Sequence, residues 1–242
     1  MTRPSPPICC RGLSVGYDKE PVLEDLSFTV GKGSTVALVG RSGCGKTTLL
    51  KTLAGILDPL AGEAVVLNTS LPQSPPPGEL GYIPQSLGLV THETVLTNVL
   101  HGRLSDIGKT RSLLGRFPKD TKTEAREAIE RVGLREYQQN RVKELSGGQR
   151  RRVAIARSFV QKPRVLLADE MLSELDTETA KSIVECLATL QAETDMTVVI
   201  VEHNLDMAKD ISDTVLRLGD EGIKDRIESV STREPVTRQS NE

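Results

Sequence analysis

The chain has 242 residues and a formal net charge of −2, with 37% hydrophobic and 26% charged residues. This size and composition are typical of one well-cored soluble domain. The near-neutral charge provides no basic face for nucleic acid, and no apolar run reaches the roughly 18–20 residues needed to cross a bilayer. We therefore expect a cytosolic protein that meets a membrane only through a partner.

The first half of the chain shows strand patterns, a helix and a loop. Short runs that predict strands cover residues 10–17, 26–30, 35–39 and 64–67. Leu49, Leu50 and Leu53 fall on one side of a helix that we predict over residues 46–56. Several prolines between residues 70 and 78 exclude regular structure. We interpret this proline-rich segment as a surface connection.

The second half changes character twice. Residues 91–144 are polar and helical, and Ala125 and Ile129 lie on the apolar face of an amphipathic helix that ends near Gly133. Further along, strand and helix patterns alternate at residues 165–168, 178–190, 198–201 and 205–211. This alternation predicts an α/β fold with a mainly parallel sheet and helices on both faces. Beyond Gly219 the chain is charged and aperiodic, so we expect a short strand or two and then a loose tail.

A phosphate-loop motif lies between an apolar strand and a helix. Gly40-Arg41-Ser42-Gly43-Cys44-Gly45-Lys46-Thr47 fits G-x-x-x-x-G-K-[ST] in the context that this motif requires. Its glycines allow backbone N–H groups to close around phosphate oxygens, and the following helix points its positive end at them. We expect Lys46 to bridge the β- and γ-phosphates and Thr47 to bind Mg²⁺. The alternative, a chance glycine-rich turn, does not explain the matching flanks.

A second motif is an apolar run that ends in Asp169-Glu170. Parallel strands present their carboxyl ends to the ligand crevice, so both carboxylates can reach the phosphate site. Asp169 is the natural partner of Mg²⁺, and Glu170 is then placed to polarise the attacking water as a general base. Without Lys46 upstream, the pair could equally be an acidic couple that caps a helix.

A third motif, Ser146-Gly147-Gly148-Gln149, opens a predicted helix. By itself it could be a flexible helix start with a serine cap. Two glycines, however, let backbone amides and the helix N-terminus approach an anion closely. Because the chain already has one phosphate loop, a second anion cradle makes sense if it serves the ATP of another subunit.

The three motifs, in this order, resemble the ATP-binding cassette (ABC) ATPases over nearly the whole chain. The resemblance implies a P-loop NTPase core with a mainly parallel sheet, antiparallel N-terminal β strands and an inserted helical subdomain. The implied domain covers residues 8–220, with the helical subdomain at about 88–160, and residues 221–242 form a polar tail. It also implies a head-to-tail homodimer that closes over two shared ATP molecules.

The resemblance assigns roles to individual residues. The implied ATP-binding residues are Tyr17, Gly40, Arg41, Ser42, Gly43, Cys44, Gly45, Lys46, Thr47, Thr48, Ser146, Gly147, Gly148, Gln149 and Asp176. The implied catalytic residues are Lys46, Gln85, Glu170 and His203, and the implied Mg²⁺ ligands are Thr47, Gln85 and Asp169. Tyr17 would stack on adenine, His203 would contact the γ-phosphate, and Asp176 would lie at the dimer interface. Outside this family pattern, Tyr17 could be a core strand residue, Gln85 a plain loop residue and His203 a structural histidine.

The chain departs from the family after Glu170. Members usually continue with Pro-Thr-Ser-Ala-Leu-Asp, whereas this chain reads Met171-Leu172-Ser173-Glu174-Leu175-Asp176. The fixed φ of proline is lost at Met171, and Glu174 adds a negative charge near the implied dimer seam. These changes bear on rate and dimer affinity, whereas every catalytic position is intact. We therefore expect two competent sites in a homodimer.

The compact length resembles the separate nucleotide-binding subunit of an importer. Its implied partners are integral membrane permease subunits and, indirectly, a periplasmic or lipid-anchored substrate-binding protein, at the cytoplasmic face of the membrane. Residues 98–104 and 112–119 look like the helical insert of phosphonate-type importer ATPases, although the first half looks equally like sulfonate or nitrate importers. An exporter ATPase would share every motif. A non-hydrolysing regulatory module is disfavoured, since it would have no need of Glu170 or His203.

Overall fold

The computed structural model describes residues 5–106, 117–173, 175–219 and 222–228. The strands are β1 (Ile8–Tyr17), β2 (Glu20–Val30), β3 (Thr35–Val39), β4 (Ala61–Val66), β5 (Thr69–Ser70), β6 (Leu80–Ile83), β7 (Val165–Asp169), β8 (Thr197–Glu202), β9 (Thr214–Gly219) and β10 (Gly222–Glu228). The helices are α1 (Lys46–Leu53), α2 (Val95–Leu100), α3 (Lys119–Arg131), α4 (Gly147–Gln161), α5 (Thr177–Thr194) and α6 (Leu205–Ile211). The chain is therefore an α/β protein, as its alternating pattern predicts.

The N-terminal strands form a separate antiparallel sheet in the order β2-β1-β4-β5. β2 begins well before the predicted strand at 26–30. The backbone of Asp25 has a φ of 51°, and the register between β1 and β2 shifts between the pairs Leu13–Leu26 and Val15–Leu23. This irregularity breaks the period-2 alternation of side chains, which hides the first half of β2 from sequence analysis.

The larger sheet has the order β10-β9-β3-β8-β7-β6. All of its neighbouring pairs are parallel except β9 with β10. β6 and β9 are strands that the sequence did not predict, since β6 has only four residues and the exposed Arg217 interrupts the apolar run of β9. β10 lies in the segment assigned to the tail, so the folded domain extends to Glu228, beyond the predicted boundary at 220.

Both faces of the large sheet are covered. On β3, Val36 and Leu38 pack into one apolar cluster with the N-terminal sheet and α1. Ala37 and Val39 point the other way, into a second cluster that contains the helices of the insert, α5 and α6. A parallel strand buried on both faces has a continuous apolar sequence rather than an alternating one. This explains why the core strands could be found from short apolar runs.

The insert consists of α2, α3 and the first part of α4. Ala125, Ala128 and Ile129 are buried on one side of α3, and Gly133 follows with a φ of 70°, as expected of a glycine just beyond a helix end. Within the described ranges, none of the helices has the length and apolarity that crossing a bilayer would require. The predicted amphipathic helix and its end are confirmed.

Asn98, in α2, is a fully buried polar side chain. Its Oδ1 accepts a hydrogen bond of 2.8 Å from the Val90 amide, and its Nδ2 donates to the carbonyl oxygens of Val90 and Thr94 at 3.0 Å each. We expect Asn98→Ala to lower the free energy of unfolding by about 2–3 kcal/mol, since buried backbone groups lose their partners. Urea denaturation would measure the change. Gln139→Ala removes an exposed amide and should change stability by less than about 0.5 kcal/mol; equal effects would contradict this account of Asn98.

Candidate functional site

Four parallel strands of the large sheet end beside one another, and each is followed within two residues by a predicted site residue. Gly40 follows β3, Glu170 follows β7 and His203 follows β8. β6 ends at Ile83, two residues before Gln85. Because the strands are in parallel register, the residues after them share one edge of the sheet. The predicted catalytic residues are therefore brought together.

The phosphate loop connects β3 to α1 and depends on its glycines. A Cβ atom on Gly40 would lie 2.7 Å from Cys44 Sγ and 2.8 Å from the Leu218 carbonyl oxygen, so no side chain fits there. Gly43 and Gly45 have φ values of 81° and 96°, which disfavour any residue with a Cβ. The loop therefore has the tight curvature that a phosphate cradle requires.

Lys46 lies inside the curve of this loop and is 4% exposed. Its Nζ donates hydrogen bonds of 2.9 Å to the carbonyl oxygens of Gly40 and Arg41. In the described part of the chain, no carboxylate forms an ion pair with Lys46. A buried ammonium group whose hydrogen-bond partners are neutral, here two carbonyls and Cys44 Sγ at 3.9 Å, suits an anionic ligand.

Thr47 and Asp169 form the candidate Mg²⁺ site. Thr47 Oγ1 donates to Asp169 Oδ1 at 3.2 Å, and Asp169 is 1% exposed. Burial raises the pKa of the Asp169 carboxyl above its ordinary value, and its buried Oδ2 has no hydrogen-bond partner among the described residues. An unpartnered carboxylate oxygen beside a hydroxyl provides the oxygen ligands that Mg²⁺ prefers, so these residues fit the ion.

The Glu170 carboxylate is held from two sides. Gln85 Nε2 donates to Glu170 Oε2 at 2.8 Å, and His203 Nε2 lies 2.5 Å from Glu170 Oε1. The backbone of Glu170 has a φ of 52°, in the left-handed region that residues other than glycine rarely adopt. Backbone strain of this kind is typical of functional positions. The carboxylate, the amide and the imidazole thus form one hydrogen-bonded group.

Ser146 and Gln149 cap the start of α4 reciprocally. The Gln149 amide donates to Ser146 Oγ at 3.2 Å, and the Ser146 amide donates to Gln149 Oε1 at 2.9 Å. A Cβ on Gly147 would meet nothing within 4 Å, whereas one on Gly148 would contact the Leu175 and Thr179 side chains. The serine cap that we considered as an alternative is therefore present, and Gly147 also leaves the helix start open to an approaching ligand. The segment lies beside the start of α5 rather than in the phosphate loop.

Two further predicted site residues occupy the ends of other elements. Asp176 is the N-cap of α5 and accepts a hydrogen bond of 2.9 Å from the Thr179 amide. Its hydrogen bonds to Thr179 hold the pKa of its carboxyl below the ordinary value. Tyr17 ends β1 with 45% of its surface exposed, so it is not the core strand residue that we considered as an alternative. Its exposed ring remains available for the predicted stacking role.

The departures from the family pattern are partly explained. Met171 and Leu172 are almost completely buried in the apolar cluster on the insert side of the sheet. Packing into this cluster holds the chain after Glu170 where the family uses proline. Glu174 and residues 112–116 of the insert lie outside the described residues.

Sequence analysis missed two charged residues beside Glu170. Arg151 of α4 donates to the Glu170 carbonyl oxygen at 2.9 Å and is 9% exposed. Its helical spacing to the buried residues Ile155 and Ser158 could have revealed that it points inward. Glu202, the last residue of β8, is 4% exposed, and one of its carboxylate oxygens has no hydrogen-bond partner in the described part of the chain. It follows an uninterrupted apolar run, which was a usable signal of burial.

Comparison with protein families matches residues 23–173 to the family described as ABC transporter. The chain is 39% identical over 93% of its length to the phosphonates import ATP-binding protein PhnC 1 of Natronomonas pharaonis, and the match covers 96% of that protein. It is 36% identical over 87% of its length to the hypophosphite import ATP-binding protein HtxD of Stutzerimonas stutzeri, of which 63% is covered.

Among solved structures, the chain is similar to a dimeric ATP-binding cassette in a post-hydrolysis state bound to ADP and Pi. The TM-score is 0.78 and the sequence identity is 26%, with 91% of this chain and 98% of that chain covered. The fold expected from the three motifs is confirmed.

Burial raises the pKa of Glu202 from an ordinary value of 4.5 to about 6. The folded state therefore binds this proton more tightly than the unfolded state. The stability that protonated Glu202 contributes is fully present below about pH 4.5. It is lost, and the free energy of unfolding falls, as the pH rises through about 6. The loss should be about 2 kcal/mol, since one pKa unit corresponds to about 1.4 kcal/mol.

Glu202→Gln removes the titrating carboxyl group, so the difference in unfolding free energy between this variant and the wild type measures the loss. Urea denaturation of both proteins between pH 4.5 and 8 should show the variant gaining about 2 kcal/mol relative to the wild type by about pH 6.5, with no further change above. Glu185→Gln, at an exposed position of α5, is the control and should follow the wild type. Parallel stability curves for the wild type and Glu202→Gln would contradict the assignment.

Proposed function

Because the chain belongs to the ABC transporter family, we propose that it is the ATP-hydrolysing, nucleotide-binding subunit of a membrane importer for a phosphonate or related phosphorus oxyanion. The observation that carries the enzymatic part is the position of the Glu170 carboxylate. It lies between Gln85 and His203, one residue after the buried Asp169. This arrangement supports a general base next to a metal-dependent phosphate site.

Each residue then has a distinct task. Lys46 supplies a positive charge inside the phosphate loop, where the β- and γ-phosphates of ATP would bind. Thr47 and Asp169 would hold Mg²⁺, which neutralises phosphate charge. With a proton on Nε2, His203 donates a hydrogen bond to Glu170 Oε1 and so keeps the carboxylate oriented. Glu170 would accept the proton of the attacking water, while Gln85 holds its second oxygen.

The second anion cradle supports a head-to-tail homodimer. The open side of Gly147 at the start of α4 is separate from the phosphate loop between β3 and α1. One chain thus offers two different halves of a nucleotide site. Two copies in opposite orientation would complete two sites, with Ser146–Gln149 of one copy facing the phosphate loop of the other.

The importer role rests on the relatives and on the insert. The similar proteins of N. pharaonis and S. stutzeri are named as import ATP-binding proteins for phosphonates and hypophosphite. Both are phosphorus oxyanions, so we assign this chain to the same substrate class. Its partners would be integral membrane permease subunits at the cytoplasmic face, contacted by the insert near Gln85, together with an external substrate-binding protein that captures the oxyanion.

Glu170→Gln tests the enzymatic role and the dimer together. The variant keeps the residues that bind nucleotide but lacks the base, so we expect ATP turnover to fall by about 100- to 1,000-fold. ATP should then remain bound and hold the dimer closed. Size-exclusion chromatography with light scattering, in saturating Mg-ATP, would measure the dimer. Glu127→Gln, at an exposed position of α3, should hydrolyse ATP like the wild type. A Glu170→Gln protein that stays monomeric would contradict the shared-site dimer.

Growth of the source cell tests the substrate class. A strain that carries Lys46→Ala in this protein would be compared with the wild type on phosphate, phosphite, hypophosphite and several phosphonates as the sole phosphorus source. We expect growth to fail on one or more of the reduced or carbon-bonded phosphorus compounds and to continue on phosphate. The control strain carries Glu127→Gln and should grow like the wild type on every source. Equal growth of the Lys46→Ala strain and the wild type on every source would overturn the substrate assignment.

A further inference from the structure

Helix α4 carries three consecutive arginines that point in different directions. Arg150 donates to the carbonyl oxygens of Val142 and Leu145, close to the start of its own helix. Arg152 donates to the Val132 carbonyl oxygen, at the end of α3. Arg151 reaches the loop after β7, where it contacts Glu170 and Ser173. Of the three arginines, Arg151 is the one that reaches the candidate catalytic residues.

Two hydrogen bonds donated by Arg151 support the Glu170 carbonyl, one directly and one through Ser173. Arg151 Nη1 donates to the Glu170 carbonyl oxygen at 2.9 Å, and Nη2 donates to Ser173 Oγ at 3.2 Å. Ser173 in turn donates to the same carbonyl from Oγ at 2.8 Å and from its amide at 3.2 Å. The Glu170 carbonyl therefore accepts three hydrogen bonds, two of them from a serine that Arg151 also holds.

Such support is needed because Glu170 adopts an unfavourable backbone conformation. Its φ of 52° is left-handed, which brings the Cβ of any residue but glycine too close to the following carbonyl oxygen. The φ angle also fixes the direction in which the side chain leaves the backbone. With this φ, the Glu170 carboxylate meets Gln85 and His203. Relaxation to a right-handed or extended conformation would turn the carboxylate away from both.

The charge of Arg151 is compatible with a positioning role rather than a binding one. Its guanidinium lies in the interior, with 9% of the residue exposed. Its positive charge also acts on the buried carboxyl of Glu202, where it opposes the rise in pKa that burial causes. The guanidinium thus lies on the buried side of the loop after β7, where it contacts Glu170 and Ser173.

We propose that Arg151 is a positioning residue that holds the Glu170 peptide in its left-handed conformation, so that the carboxylate faces the reacting phosphate. The same residue links Glu170 to the helix that begins at Ser146. Loss of Arg151 would leave nucleotide binding intact and slow the chemical step. This inference rests on the proposed role of Glu170 as the general base.

Four single variants, and the double variant of Arg151→Gln with Glu170→Gln, separate positioning from general support of the fold. Arg151→Gln removes the charge and the paired donors, and Arg151→Lys keeps a charge that can still reach the Glu170 carbonyl. Arg152→Gln removes the same charge one residue away, together with a backbone contact to Val132, and serves as the control. Glu170→Gln provides the reference state without the base. ATPase kcat and KM would be measured for each protein, and circular dichroism would confirm that each is folded.

We expect Arg151→Gln to lower kcat by about 10- to 100-fold, as misplacement of a catalytic group does, with the KM for ATP within about twofold of the wild type. Arg151→Lys should recover part of kcat, and Arg152→Gln should stay within about twofold. In the Glu170→Gln background, Arg151→Gln should cause no further loss of the residual rate, because both changes remove the same function. The ATP-dependent dimer of Glu170→Gln should also persist in the double variant.

Three results would overturn the inference. The first is a wild-type kcat for Arg151→Gln. The second is a raised KM together with loss of the ATP-dependent dimer in the double variant, which would indicate that Arg151 merely supports the helix start. The third is a further fall in the residual rate of Glu170→Gln. By contrast, normal turnover of Glu170→Gln itself would refute the proposed function of Glu170, so the two failures are distinguishable.

Discussion

The parallel register of the large sheet is the constraint on which the site depends. Val39 pairs with Glu202, and Asp169 pairs with Val201, so these strands end within one residue of each other. β7 and β8 are apolar over most of their length and end in Asp169 and Glu202, and β3 leads directly into the phosphate loop. Because the chain must bury both faces of these strands, their polar residues can lie only at the ends. Four separate segments are thereby forced to deliver their reactive groups to one edge.

The same constraint places charged groups at the boundary of the apolar core. Asp169 and Glu202 are among the last residues of buried strands, and burial raises the pKa of both carboxyl groups. Removal of charge from water is unfavourable unless a partner compensates for it. Lys46 and Arg151 approach this region from α1 and α4 and bring positive charge. The site therefore combines two carboxyl groups at strand ends with two cationic side chains on helices. Because these groups are buried, water and salt screen their interactions only weakly.

From the sequence, the core strands and the residues of the site could be predicted better than the outer strands of the large sheet. Lys46, Asp169 and Ser146 lie in motifs whose spacing follows from phosphate chemistry, so they could be located without coordinates. β6 and β9 were missed because their short runs are interrupted by Gly81 and Arg217. The spacing of Arg151 to Ile155 and Ser158 could have shown that it points inward, but its contact with the Glu170 peptide depends on what packs against the helix. Local sequence patterns thus identify residues that belong to a chemical motif. Residues that hold those groups in place, such as Arg151, can be identified only from tertiary contacts.

Helix α4 contacts both loops that hold the Glu170 carboxylate. Arg157, six residues beyond Arg151 on the same helix, donates to the carbonyl oxygens of Leu87 and Gly88 at 2.9 and 2.7 Å, just after Gln85. Gln85 in turn donates to Glu170, whose peptide Arg151 holds. One helix thus contacts both the Glu170 peptide and the loop that follows Gln85, whose side chain hydrogen-bonds the Glu170 carboxylate. A partner that displaces the Gln85 loop would therefore act on Glu170 directly through one hydrogen bond. The same helix begins at the reciprocal cap of Ser146 and Gln149, so this segment and both loops are joined by one element.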